Sequence, residues 1–314
     1  MITISKKDIE FSHPCAIAIG KFEGLHLGHQ ALLLETRSQA AALKIPVLVF
    51  TFSPHPRCVL SGERYQSIFS DPEKAAILEK MGVDIMIEYP FDLSAANMQP
   101  EEFASFIFEK LKCRALVIGK NFTFGKGGAG GAPLLKSIGG KCGASVTTLE
   151  SVMSDGEKVS SSRIRAALME KDFQSAAALM GRPYFISGEV SHGRELGRTL
   201  GFPTINLIPD PEKLLPINGV YMTKTKYDGE LFNSMTNIGV NPTVKGMRKM
   251  VETYIFGFDR WIYGESVQVF FLEWMRGETK FCSVEMLKSQ LESDVIQCER
   301  RFGACRRENC LQGV

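Results

Sequence analysis

Apolar residues recur along this chain with two different periods, and the change between them falls near residue 181. In the first half, short unbroken apolar runs alternate with stretches of helical spacing. Residues 16–19, 46–52, 83–87 and 115–118 read as buried strands. Between them, Leu27 onward with Leu32 and Leu33 has helical spacing. Asp71-Pro72-Glu73 opens a second helix that Gly82 ends, and residues 100–112 place Phe103, Phe106, Ile107 and Leu111 on one helical face. Strands alternating with helices predict a parallel α/β sheet. After Gly181-Arg182-Pro183 the pattern turns to short alternating runs at 184–190, 219–225, 233–238, 250–256 and 266–273. Such evenly spaced strands predict a closed or nearly closed barrel. One last helix, capped by Ser283, aligns Val284, Leu287, Leu291, Val295 and Cys298 along one side. The expected division is an α/β domain over 1–181 and an all-β domain with a C-terminal helix over 182–314.

The chain has 314 residues, enough for two domains, with 37 basic against 35 acidic side chains. That balance demands neither a nucleic acid nor a membrane partner. The N-terminal stretch lacks the apolar core of a signal peptide and no run is long enough to span a bilayer, so a cytoplasmic location is expected. Eight scattered cysteines form no Cys-x-x-Cys pair, which indicates neither a disulfide framework nor a zinc knuckle. Cys298, Cys305 and Cys310 cluster in the tail without an assigned role.

Candidate chemistry concentrates in four stretches. The run from Ala16 to Leu34 reads as strand, glycine-punctuated turn and helix start, with His26 and His29 one helical turn apart. A helix N-terminus after such a turn attracts a nucleotide phosphate, and the two imidazoles add donors and charge on the same face. Gly20, Phe22 and Gly28 belong to this phosphate turn. The loop 119–131 leaves the C-terminal end of a buried strand, where open α/β sheets bind ligands. Its Phe122 and Phe124 could shelter an aromatic ring and Asn121 could hydrogen-bond one. In Val159-Ser-Ser-Ser-Arg-Ile-Arg165, Ser161 and Ser162 suit a helix cap. Arg163 and Arg165 stand at the positive helix end, which suggests a phosphate that offsets the penalty; Arg165 is the favoured candidate. In the second half, Gly193, Gly197 and Gly201 let the segment 191–207 approach a phosphate chain, with Arg198 beside them. Thr204 and Asn206, two apart on an extended chain, point the same way and can share a cation.

Taken in order, Gly-Lys-Phe-Glu-Gly-Leu-His-Leu-Gly-His, Thr-Phe-Ser-Pro-His-Pro, the Asn-Phe-Thr-Phe-Gly loop and Val-Ser-Ser-Ser-Arg-Ile-Arg resemble the adenylyltransferase module of prokaryotic FAD synthetases. Gly-Arg-Thr-Leu-Gly-Phe-Pro-Thr-Ile-Asn, Asn-Ile-Gly-Val-Asn-Pro-Thr and Val-Glu-Thr-Tyr-Ile are similar to their riboflavin kinase module. The resemblance implies a Rossmann-like nucleotidyltransferase domain followed by a Greek-key-like barrel. It implies an enzyme that converts riboflavin to FMN and FMN to FAD, using ATP and Mg²⁺. It implies that His26, His29, Ser161 and Arg165 handle ATP phosphates, that His55 and Asn121 lie near the flavin, and that Thr204 and Asn206 hold Mg²⁺. It also implies that Glu252 is the catalytic base and that Arg276 and Phe281 shape the flavin site. A neutral alcohol needs a base, whereas the phosphate of FMN is already anionic and needs none. Glu23 stands where the family usually has Asp, Ser162 where it usually has Thr, Gly128 where many members carry Arg, and Tyr254 where many have His. Competing readings are a monofunctional FAD synthetase with a decayed kinase half, another nucleotidyltransferase, and a flavin-binding regulator without turnover.

Overall fold

In the computed structural model, residues 1–62, 64–193, 196–243 and 246–305 are described. Two compact units emerge, 1–161 and 162–314.

The first unit is a six-stranded parallel sheet of order β1-β4-β3-β2-β5-β6, from β1 (Ile2–Ile4), β2 (Cys15–Ile19), β3 (Val47–Ser53), β4 (Ile85–Pro90), β5 (Cys113–Gly119) and β6 (Ser145–Leu149). Every residue of β2 is buried, as expected for a central strand covered on both faces. Helix α1 (Leu27–Leu43) connects β2 to β3, and the short α2 (Pro56–Ser61) and α3 (Asp71–Lys80) lead to β4. Next come α4 (Leu93–Ala96), α5 (Pro100–Ser105) and a π-helical turn at Phe106–Lys110, so the helix expected over 100–112 changes its pitch halfway. Helix α6 (Ala132–Lys141) crosses to β6. A hairpin of β7 (Met153–Ser154) and β8 (Glu157–Lys158) ends the unit. The chain lays down β3 and β4 on one side of β2, then β5 and β6 on the other. The switch point between β2 and β5 is therefore flanked by the turn 20–28 and the loop 119–131, the crevice where such sheets take ligands.

The second unit opens with α7 (Ser161–Met169) and α8 (Phe173–Met180). The boundary expected at residue 181 falls inside this unit, because Phe173 packs against Tyr221 and Phe271 of the barrel, at 5.5 and 5.9 Å between ring centroids. The strands are β9 (Tyr184–Ser191), β10 (Thr204–Leu207), β11 (Gly219–Tyr227), β12 (Glu230–Thr243), β13 (Gly246–Ile255) and β14 (Ser266–Arg276), with one helical turn, α9 (Leu196–Thr199), before β10. They close antiparallel in the order β10-β13-β12-β11-β14-β9. Closure removes both sheet edges. Buried hydroxyls of Thr223, Ser234, Thr236 and Thr253 link β11, β12 and β13 through hydrogen bonds of 2.8–2.9 Å. Helix α10 (Val284–Cys305) begins where Ser283 Oγ accepts the Met286 amide, and it buries Cys298 and Phe302 against Val220, Met222 and Met235. Val284, expected on that buried side, is exposed. Cys310 lies outside the described residues. Among the described residues no helix is long and apolar enough to cross a membrane.

Candidate active sites

Two constellations stand out, one in each unit. In the first, the turn after β2 holds Phe22 and Leu25, both fully buried, at φ of 45° and 44°. Non-glycine residues rarely adopt that conformation, and here packing holds them in it. Thr51 Oγ1 and Gln30 Nε2 donate to the carbonyls of Lys21 and Leu25, at 3.0 and 3.1 Å, fixing the turn further. His26 caps α1: its Nδ1 accepts the His29 amide at 3.3 Å, which leaves its ring proton on Nε2 when the imidazole is neutral. The two imidazoles stack 3.8 Å apart, and Phe22 lies 5.0 Å from His29. Gly28 leaves room for the His26 ring, since a Cβ there would lie 3.1 Å from it; Gly20 does the same for Phe22.

The histidines do not carry charge in this site. Burial, and then nearby Lys158, push His26 down to about 4; burial and the His26 neighbour hold His29 well below the ordinary value. Both are neutral at pH 7, so they offer N–H donors where charge was also expected of them. Phe22 is fully buried, so its side chain forms the wall of the turn and is not an open face for a ligand.

Phe124 departs further from expectation. It is buried against Phe103 and Phe122, with centroids 5.2 and 5.7 Å away, and belongs to the sheet core, so it is not an open face for a ring. Gly130 permits this, because a Cβ there would lie 2.6 Å from the Phe124 ring. Asn121, three residues earlier, is exposed. His55 caps α2 by accepting the Arg57 amide at Nδ1 (3.2 Å) and stacks on Tyr65 at 4.0 Å.

In the barrel, strand register places Glu252 of β13 opposite Asn206 of β10 on one side and Asn237 of β12 on the other. Thr204, Asn237, Glu252, Tyr254, Arg276 and Phe281 line one cavity of about 280 Å³. Thr204 also lines a second cavity, of about 310 Å³, with Arg198, Arg260, Trp261 and Tyr263. There Tyr263 stacks on His192 at 3.9 Å and the Arg198 guanidinium lies 5.4 Å from the Trp261 ring. Asn206 is 4% exposed, and its Oδ1 has no hydrogen-bond partner among the described residues. A Cβ at Gly193 would lie 2.1 Å from Asn206 Nδ2, and one at Gly197 would lie 2.4 Å from the Phe202 carbonyl. These glycines are thus required by the protein's own packing, while Gly201 is required by its φ of +88°. Arg276 donates through Nε and Nη2 to Asp294 of α10, at 3.0 and 2.6 Å. Ser161, Ser162 and Arg165 all lie in the first five residues of α7; the unit boundary falls between the two serines.

Residues 8–163 match the FAD synthetase family model and residues 180–302 match the riboflavin kinase model. A bifunctional riboflavin kinase/FMN adenylyltransferase of Haemophilus influenzae is 38% identical, over 92% of this chain and 95% of that protein. The chain belongs to the bifunctional riboflavin kinase/FMN adenylyltransferase family. Another member, from Bacillus subtilis, is 32% identical over 96% of this chain and its own full length. A crystal structure from Streptococcus pneumoniae, described as a macrolide-efflux protein, is similar with a TM-score of 0.85 and 31% identity, covering 95% of this chain and 99% of that one. The Rossmann-like sheet and the barrel expected of the family are both present.

Within this family member, three residues escaped sequence reasoning. Tyr65 reaches Glu23 in the turn after β2 across 42 residues of chain, Asn237 reaches Glu252 only through strand register, and Asp294 anchors Arg276 from the C-terminal helix. Asp294 had a faint signal, an acid on the otherwise apolar side of an amphipathic helix.

Proposed function

We propose that the barrel half phosphorylates riboflavin to FMN and the α/β half adenylylates FMN to FAD, with ATP as co-substrate in both steps. The observation that carries this reading is the convergence of Glu252, Asn237 and Thr204 on one cavity next to buried Asn206. Glu252 is positioned as the base that takes the proton from the primary alcohol as its oxygen bonds to the γ-phosphorus, while the bond to ADP breaks. Arg276, held by Asp294, and Phe281 fit the wall against which the flavin rests. The aromatic second cavity with Arg198 suits the nucleotide, so that Thr204 stands where the two substrates meet. The orphaned Oδ1 of buried Asn206, close in sequence to the Thr204 hydroxyl, fits a hard cation with oxygen ligands. Mg²⁺ bound there would neutralise phosphate oxygens during transfer.

In the α/β half, a phosphate oxygen of FMN attacks the α-phosphorus of ATP and pyrophosphate leaves. No base is needed. His26 and His29 act as neutral hydrogen-bond donors to phosphate oxygens and the turn amides add further donors; for Arg165, Ser161 and Ser162 the family resemblance alone supports a part in handling the ATP phosphates. His55 and Asn121 are assigned to the flavin side. A cytoplasmic setting, where ATP is at hand, goes with this reading.

Purified protein with ATP and Mg²⁺ is expected to yield FMN and FAD from riboflavin, and FAD and pyrophosphate from FMN, on chromatography. FAD from FMN without any phosphorylation of riboflavin would leave a monofunctional synthetase. Flavin binding without ATP consumption would replace both activities by a regulatory role.

A further inference from the structure

Glu23 is nearly fully buried although it belongs to a turn built to receive anions. A buried carboxylate requires hydrogen-bond partners, and beside a phosphate site it would repel the ligand unless tied off. Both oxygens are engaged. Tyr65 Oη donates to Oε2 at 2.6 Å, and the Ile68 amide donates to Oε1 at 3.4 Å. The Tyr65 ring in turn stacks on the His55 imidazole with 15° between planes, and His55 Nδ1 holds the Arg57 amide. That last bond leaves the ring proton of neutral His55 on Nε2. Buried Ile68 and Phe69 anchor the far end of the segment. Carboxylate, phenol and imidazole thus form one connected series from the phosphate turn to the residue assigned to the flavin side.

We propose that Glu23 and Tyr65 are positioning residues for adenylyl transfer, locking the His55-bearing segment onto the phosphate turn so that His55 is held ready for FMN. The proposal rests on the assignment of adenylyl transfer to this half. It also gives a reason for Glu at position 23: an Asp would withdraw the carboxylate by about 1.5 Å, one carbon–carbon bond, and the 2.6 Å contact to Tyr65 would be lost.

The test is steady-state FAD formation by the full chain carrying Tyr65→Phe, Glu23→Gln, both together, and Tyr65→Leu. Tyr65→Phe keeps the ring against His55 and removes only the hydroxyl. It is expected to raise KM for FMN about tenfold, the size of one hydrogen bond to a charged group, with KM for ATP and riboflavin phosphorylation unchanged. The double variant is expected to be no worse than the weaker single, because both break the same link. Tyr65→Leu, which also loses the stack, is expected to fall further. Wild-type values from Tyr65→Phe, additive effects of the two changes, or a parallel loss in both KM values and Tm would each overturn the positioning role. A wild-type chain that makes no FAD from FMN would overturn the underlying assignment as well.

Discussion

Replacing Glu252 with Gln isolates the proposed proton acceptor with little other disturbance. The side chain is half-buried on β13 between Asn206 and Asn237, and Gln preserves its length and its capacity to hydrogen-bond. What it loses is basicity. A positioned general base contributes about 10²–10⁴ in rate, or about 3–5 kcal/mol of barrel-site transition-state stabilisation. The kcat for riboflavin phosphorylation should fall by that factor, with KM for riboflavin within about threefold, because Phe281, Tyr254 and Arg276 still line the cavity. FMN-to-FAD conversion by the same preparation is the internal control for folding, and Tm should not move. Both steps can be followed by separating the flavins chromatographically. A folded Glu252→Gln variant that phosphorylates riboflavin at near wild-type rate would refute the assignment of Glu252 as base.

Three further outcomes are expected. His29→Ala should lower FAD formation about 10²-fold, as for loss of one transition-state donor, while sparing riboflavin phosphorylation; equal loss of both activities in a folded protein would contradict the division of labour. Gly193→Ala should do the reverse, cutting riboflavin phosphorylation at least tenfold, because a Cβ 2.1 Å from Asn206 Nδ2 must displace that amide; an unimpaired kinase rate would refute the role given to Asn206. Folding should also respond to acid. His26 sits near 4 in the folded chain against an ordinary 6.5, so between those values the unfolded chain binds the extra proton and stability falls as pH falls. Tm should therefore be lower at pH 5 than at pH 7, and His26→Asn should shrink the difference; an unchanged difference would refute the burial argument.

The strands that were legible are those with dense apolar runs: β2, β3, β4 and β5 announce themselves by being buried on both faces. The missed elements lack that signature. Edge strand β6 reads Ser-Val-Thr-Thr-Leu and is only half-buried, and β1 is three residues long. Helix α6 contains Gly139 and Gly140, poor helix formers, yet Gly139 is needed because a Cβ there would lie 2.9 Å from the Phe108 ring. The compact units divide at residue 161, before the expected domain boundary at 181, because α7 and α8 share the helical texture of the first half while the attachment of Phe173 to the barrel is a purely tertiary fact. At the sites, spacing brought out His26, His29, Thr204 and Asn206. The neutrality of the imidazoles, the burial of Phe124 and the reach of Tyr65 to Glu23 depend on packing between distant segments, which no local pattern encodes.

Strand β10, four residues long, serves through Thr204 as a party wall between two chambers. Whatever settles in one chamber presses on the same short piece of backbone that the other must use. Occupancy of either should therefore alter the affinity of its neighbour, and by the same factor in both directions. For an enzyme built this way, each substrate would sense the other through a single threonine.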